Sequence, residues 1–247
     1  MACLLEVDKE IAGTIALGMG NFHGAEMILR TEFDKRFPGL IKSSRVGFMS
    51  PYCEGVVKSP TYEQVSTGTS GHIQVVLIEF VSAPSIEEFE ELVRLYFSCH
   101  DPTTKYRQGD DRGFQYSSWV FCESKVQSDI VKRIRDELQD LLLANAVPDN
   151  AFSGKHIWTN ISPMHEFTAA SEEHQQYHKK NPEASCQHRL RLKLWPRFDW
   201  EEETLDDESG NSFGSGSSNE LIKRLRSSRR RNERIRDIIR TSLMDSA

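Results

Sequence analysis

No run in this chain of 247 residues approaches the twenty or so consecutive apolar positions that a membrane-spanning helix needs, so a soluble protein is expected. The start, MACLLEVDKEIAG, lacks the basic opening and small-residue cleavage site of a secretory leader, and an intracellular, cytoplasmic setting is the expectation. Only five cysteines are present, Cys3, Cys53, Cys99, Cys122 and Cys186, without a CxxC pair or a regular spacing, which argues against both a zinc site and a disulfide framework. HxH and HExxH are missing too, so no metal site is expected, and an ion held by His23 with His72 is the weak alternative. Internal repeats are absent, and continuous apolar strands are too few for a doubly wound parallel sheet. An α+β two-layer sandwich fits the irregular alternation of strand and helix patterns better.

What is present divides the chain in three. Residues 1–200 read as one folded domain. Residues 201–218, EETLDDESGNSFGSGSS with one more leading Glu, are acidic and then Gly/Ser-rich, and too polar to bury a core, so they read as a linker. Residues 219–247 hold one Lys and eight Arg against four acidic residues, a net charge of +5, which leaves −11 on the rest of a chain whose total is −6. Leu221, Leu225, Ile235 and Ile239 mark a helical stripe there, read first as a solvated extension. The other reading is a polyanion or nuclear-import contact.

Within the domain, IAGTIAL (11–17) reads as a buried strand, GMGN as a turn, and the residues from Phe22 through EMILRTEF as a helix. HIQVVLIEF (72–80) reads as a strand with Val75, Leu77 and Glu79 opposite Gln74, Val76, Ile78 and Phe80. SIEEFEELVRLYFSCH (85–100) is a Ser-capped helix facing inward with Phe89, Leu92, Val93 and Phe97. A strand over 116–124, an amphipathic helix over 127–146, a short strand over 156–163 and a short polar helix over 167–181 complete the pattern.

Four stretches carry the functional signal: GNFHGAE (20–26), SPTYEQVSTGTSGHIQVVLIEF (59–80), SCHDPTTKYRQGDDRGFQYSSWVF (98–121) and HQQYHKKNP (174–182). Together they resemble peptide methionine sulfoxide reductase A over roughly residues 10 to 190. The resemblance implies a sandwich with a ferredoxin-like β-α-β-β-α-β core. It also implies a reaction in which a cysteine thiolate at a helix N-terminus attacks the sulfoxide sulfur and an acid flanked by tyrosines protonates the departing oxygen. A second thiol then forms a disulfide that thioredoxin or another thiol reductant reduces, with no bound cofactor.

Carried across residue by residue, the resemblance places Asn21 at the nucleophile's position, Gln74 at that of the proton-donating Glu, and Cys186 near that of the recycling thiol. Phe22, His23, Tyr62, Tyr116 and Tyr177 fall on pocket and oxygen-binding positions, and Asp111 on a structural acid. His23 stands where the family has Trp, and as a histidine it is expected to titrate near neutral pH. The resemblance thus implies a pocket for methionine sulfoxide in peptides or proteins, with the thiol and the acid replaced. Two rivals stay open. One is an active peptide-methionine (S)-S-oxide reductase in protein repair that uses Cys53 or Cys186 instead. The other is a domain serving only as scaffold for the basic tail. Cys99 and Cys122 read as buried apolar fillers.

Overall fold

The computed structural model describes residues 11–196. The 201–218 linker, the 219–247 tail, with the polyanion contact considered for it, and Cys3 lie outside the described residues. Strand β1 (Thr14–Met19) leads into helix α1 (Phe22–Arg36), followed by β2 (Ile41–Met49), α2 (Tyr62–Ser66), β3 (Ile73–Phe80) and α3 (Ile86–Cys99). A small hairpin of β4 (Arg107–Gln108) and β5 (Asp111–Arg112) and a single 3-10 turn (Phe114–Tyr116) precede β6 (Ser118–Cys122). Then come α4 (Lys125–Leu143), β7 (Asn160–Pro163), β8 (Phe167–Ala169) and α5 (Tyr177–Lys180).

The six-stranded sheet runs β7-β6-β1-β3-β2-β8. Its inner four strands, β6-β1-β3-β2, are mutually antiparallel, and β1-α1-β2 and β3-α3-β6 supply the two helical connections, which is the expected ferredoxin-like core. The alternation of β3 is what makes this a sandwich. Val76, Ile78 and Phe80 enter the main core with Phe89, Leu92 and Val93 of α3 and Ile130, Ile134 and Leu138 of α4. Ile73 and Val75 face the other way into a smaller cluster with Ala16, Met49 and Phe121.

Capping chemistry sets the helix starts. Ser85 with Glu88 and Ser124 with Gln127 form reciprocal capping boxes at α3 and α4. The Gln127 amide also donates to the carbonyls of Ala12 and Thr14, tying α4 to the entrance of β1. Between α3 and α4 the fully buried Glu90 carboxylate accepts from Arg133 at 2.5 Å and from Arg94 at 3.1 Å. Removing one member of a buried pair costs more than the pair is worth, because the remaining charge keeps its desolvation penalty. Glu90→Ala is therefore expected to lower unfolding stability by about 3 kcal/mol in urea denaturation. A change below 0.5 kcal/mol or so, the range of ordinary surface substitutions, would mean that water reaches Arg133.

Two segments differ from the sequence reading. Strand β2 was not expected, because IKSSRVGFM carries four polar residues in a row and its register breaks between Ile41 and Ser43. The helix expected over 167–181 is instead β8, a turn, and only the four residues of α5. Its physical cause is Gln175, whose side chain satisfies the edge of β2 as a strand would: Oε1 accepts from the Val46 N–H at 2.9 Å and Nε2 donates to the Val46 carbonyl at 2.9 Å.

Candidate functional site

The chain leaves β1 through Gly20, whose φ of +100° is a left-handed conformation that a side chain would strain. A Cβ there would also stand 2.5 Å from Cβ of Gln108. Asn21 follows as the N-cap of α1, with its Oδ1 accepting the His23 N–H at 2.9 Å. The neighbouring Phe22 N–H donates to Oε1 of Gln74 at 3.2 Å. Two of the free N–H groups that open α1 are thus met by neutral carboxamides. Gln74 is 1% exposed, and its Nε2 has no partner among the described residues.

A cluster of rings covers this helix end. Phe22 is fully buried, with His23 at 4.7 Å, His174 at 5.8 Å and Tyr62 at 6.0 Å, all approaching edge-on. Above it, His23 and His174 share a hydrogen bond of 3.0 Å between Nε2 and Nδ1. Tyr177 stacks on His23 and Tyr62 on His174, each with 4.2 Å between centroids. Burial, with smaller contributions from His174 and His178, pushes the His23 pKa down to about 4. The expectation that His23 titrates near neutral pH is corrected accordingly: it is a neutral imidazole hydrogen-bonded to a second histidine ring. His72 is not its neighbour, for its Nδ1 is held by the Ser70 carbonyl at 2.9 Å. Among the described residues no group of three or more His, Cys, Asp or Glu is placed to hold a metal ion.

The HQQY stretch positions the upper half of this cluster. His174 is the ring between Tyr62 and His23, and Gln175 clasps β2. Gln176 adopts a left-handed φ of 52° and donates its N–H to Oε2 of the buried Glu26, whose Oε1 accepts from Ser44. Tyr177 is thereby set over α1 by a carboxylate of α1 itself.

Tyr116 feels both Asp111 and Tyr62. Burial raises the Asp111 pKa, aided by Asp110, while burial and then the charges of Asp111 and Tyr62 raise that of Tyr116. On the opposite side, residues Cys186, Gln187 and His188 form a strap across the helix start. His188 Nε2 donates to the Met19 carbonyl at 2.7 Å, and Gln187 Oε1 accepts the Asp110 N–H at 2.8 Å. A Cβ on Gly24 would stand 2.7 Å from the Cys186 sulfur and 2.6 Å from the His188 ring, so only glycine admits the strap. Burial raises the Cys186 pKa, and its thiol donates to the His188 carbonyl oxygen at 3.7 Å. Cys99 and Cys122 are buried and pushed up to about 12. Cys53 is exposed and lines a separate cavity.

The structure therefore brings Asn21, Phe22, His23, Tyr62, Gln74, Tyr177 and Cys186 to the start of α1, with Tyr116 interacting with both Tyr62 and Asp111. His174, Glu26 and the strap residues Gln187 and His188 were not anticipated as site members. The HQQY motif held the signal for His174. Gln187 and His188 sit in a stretch without one.

The four inner strands and their two helices make a split β-α-β sandwich with a ring-covered polar site at the N-terminus of its first helix, an architecture that does not by itself fix a function. Its family is identified by comparison. A family model for peptide methionine sulfoxide reductase matches residues 13–203, and the chain belongs to that family. It is 42% identical to the MsrA of Halalkalibacterium halodurans over 155 residues, 62% of this chain and 77% of that protein. With the MsrA of Methanothermobacter thermautotrophicus it shares 35% over 189 residues, 75% of this chain and 95% of the relative. Among solved structures, reduced Mxr1 of Saccharomyces cerevisiae superposes with a TM-score of 0.58 at 29% identity, covering 72% of this chain and 92% of Mxr1. The methionine sulfoxide reductase A of Corynebacterium diphtheriae gives 0.54 at 30%, covering 74% and 82%. No helix among the described residues is long and apolar enough to cross a membrane.

Proposed function

We propose that this member of the family binds methionine sulfoxide in peptides or proteins and does not carry out the thiol-based reduction. The observation behind the reading is Gln74, with Oε1 given to the Phe22 N–H and Nε2 buried without a partner among the described residues. An unpaired buried donor costs about 1–3 kcal/mol, which a sulfoxide oxygen accepting from it relieves. The phenols of Tyr62 and Tyr177 are the further donors, and the S-methyl group enters over Phe22 by parting the Tyr62–His174 stack. Asn21 has no thiol to attack sulfur, and its carboxamide is already engaged as a cap. Gln74 donates hydrogen bonds but has no acidic proton to release.

The test is titration of the full chain with a methyl-sulfoxide peptide and its reduced twin. The oxidised peptide is expected to bind about three- to tenfold more tightly, as one or two net hydrogen bonds allow. Gln74→Leu and Tyr62→Phe are each expected to narrow that gap. Because burial lowers the His23 pKa to about 4, His23 is expected to add no pH dependence to affinity between pH 7.5 and pH 6.0, and a His23→Asn variant is expected to show the same ratio of affinities at those two values as the native chain. Equal affinities for the two peptides would overturn the reading and favour a scaffold for the tail. No turnover is expected with dithiothreitol or thioredoxin as reductant. The rival reading, reduction by a relocated thiol, has the placement of Cys186 against Gly24 on its side. Turnover that disappears on Cys186→Ser, or on Cys53→Ser, would establish it.

A further inference from the structure

The loop after β2 and the segment before β8 enclose a cavity of about 460 Å³ at the end of the sheet, lined by Cys53, Lys58, His72 and His165 together with Glu54 and Glu166. Cys53 Sγ lies 3.8 Å from Nδ1 of His165, within reach for the imidazole to take the thiol proton. His72 is 6% exposed, and with its Nδ1 turned to the Ser70 carbonyl its Nε2 has no partner among the described residues. As an acceptor on a residue that lines the cavity, Nε2 can take a donor from whatever fills it. The lining therefore offers an ammonium for a carboxylate, two carboxylates and a neutral imidazole for an ammonium, and a thiol next to a base. None of these residues belongs to the ring cluster over α1.

We propose that this cavity is a thiol-disulfide exchange site for the disulfide of a small zwitterionic thiol. Lys58 receives a carboxylate of the ligand, and Glu166 with His72 Nε2 receives its ammonium group. His165 takes the Cys53 proton, and the thiolate attacks one ligand sulfur in line with the S–S bond. That bond breaks as the bond from Cys53 to sulfur forms. The departing thiolate takes the proton from the His165 imidazolium and leaves as a free thiol. Cys53 is oxidised to a mixed disulfide, and half of the ligand disulfide is reduced. The site is independent of methionine sulfoxide binding, so either can fail alone.

The experiment treats the native full chain with oxidised glutathione, or with the uncharged bis(2-hydroxyethyl) disulfide at the same concentration, and follows adduct formation by intact mass and peptide mapping. Cys53 is expected to be modified first, ahead of Cys3 and Cys186, with the zwitterionic disulfide preferred by about tenfold, a difference equivalent to one good charge-assisted contact. Lys58→Gln is expected to remove most of that preference, slowing the reaction with oxidised glutathione far more than that with the uncharged disulfide. His165→Gln is expected to slow both. Lys58 is exposed in the loop after β2 and His165 lies in the loop between β7 and β8, and unchanged circular dichroism checks that both variants fold. Equal rates for the two disulfides, a Lys58→Gln variant that keeps the preference, or first modification at Cys3 or Cys186 would overturn the proposal and reduce Cys53 to an ordinary exposed thiol.

Discussion

Asn21→Cys combined with Gln74→Glu is expected to reduce a methyl-sulfoxide peptide about 10²–10⁴ times faster than Asn21→Cys alone, the range that positioned acid catalysis supplies. On the proposed reading, Asn21→Cys places a sulfur at the N-cap of α1, where the His23 and Phe22 N–H groups and the helix dipole favour the thiolate. Attack on the sulfoxide then leaves an oxygen that needs a proton, and Gln74 has none to give. A Glu in that place inherits an environment 1% exposed, which raises a carboxyl pKa and keeps it protonated near neutrality, as a general acid requires. The Cys186 sulfur packs against the Gly24 position, three residues along α1 from position 21, and on this reading a disulfide between positions 21 and 186 is expected after one turnover without reductant. Turnover of the double variant no faster than that of the single one would remove Gln74 from the role assigned to it. Failure of the disulfide to form would remove Cys186.

The second large effect is acid lability. His100 is fully enclosed, with Nδ1 on the Tyr96 carbonyl at 2.7 Å and Nε2 on Ser118 at 2.8 Å, and burial holds its pKa at about 3. His188 is held at about 4 by burial, against the opposing effect of its bond to Met19. Both values lie below the 6.5 of an unfolded histidine, so the unfolded chain takes up protons that the folded chain refuses. The stability concerned is complete above about 6.5 and declines as pH falls toward 4, by about 1.4 kcal/mol per pH unit for each histidine. Together they remove on the order of 5 kcal/mol between pH 6.5 and 4.5, comparable to the whole stability of many domains. Urea midpoints at pH 7, 6 and 5 measure this. A midpoint that stays level would mean that one or both histidines are charged in the fold. His188→Gln is expected to flatten the slope, with His100 and the likewise depressed His23 keeping part of it.

The sequence carried the architecture wherever a single period ran unbroken. The apolar faces of α3 and α4 and the alternation of β3 are of that kind, and each is found where its periodicity places it. It failed where a side chain substitutes for backbone. IKSSRVGFM hides β2 because Lys42 and Arg45 project from it while a bulge breaks its alternation, and the helix-like composition of 167–181 is overruled by one glutamine bonding to an edge strand. The short α2 was legible in principle, since Thr61 and Gln64 form a capping box in plain sight. The same division holds at the candidate site. Short motifs located Asn21, Tyr62, Gln74 and Tyr177, but nothing in a string of letters shows that two histidines 151 positions apart share a hydrogen bond. The strap fared similarly, because its anchor is a gap left by Gly24, and a missing side chain announces no partner.

Asn21 has a meaning for the history of the chain as well as for its chemistry. Asn is among the strongest helix N-caps, and exchanging such a cap for a residue that caps poorly costs about 1 kcal/mol. In this chain that cap opens a helix of 15 residues that also anchors Tyr177 through Glu26. On the proposed reading, a lineage that once exchanged thiol for carboxamide here gained a sturdier fold in the same step. Selection for abundance then favours keeping the amide, and a return to the thiol has to climb that slope before any activity rewards it. Loss at this position works as a ratchet, with the helix as its pawl.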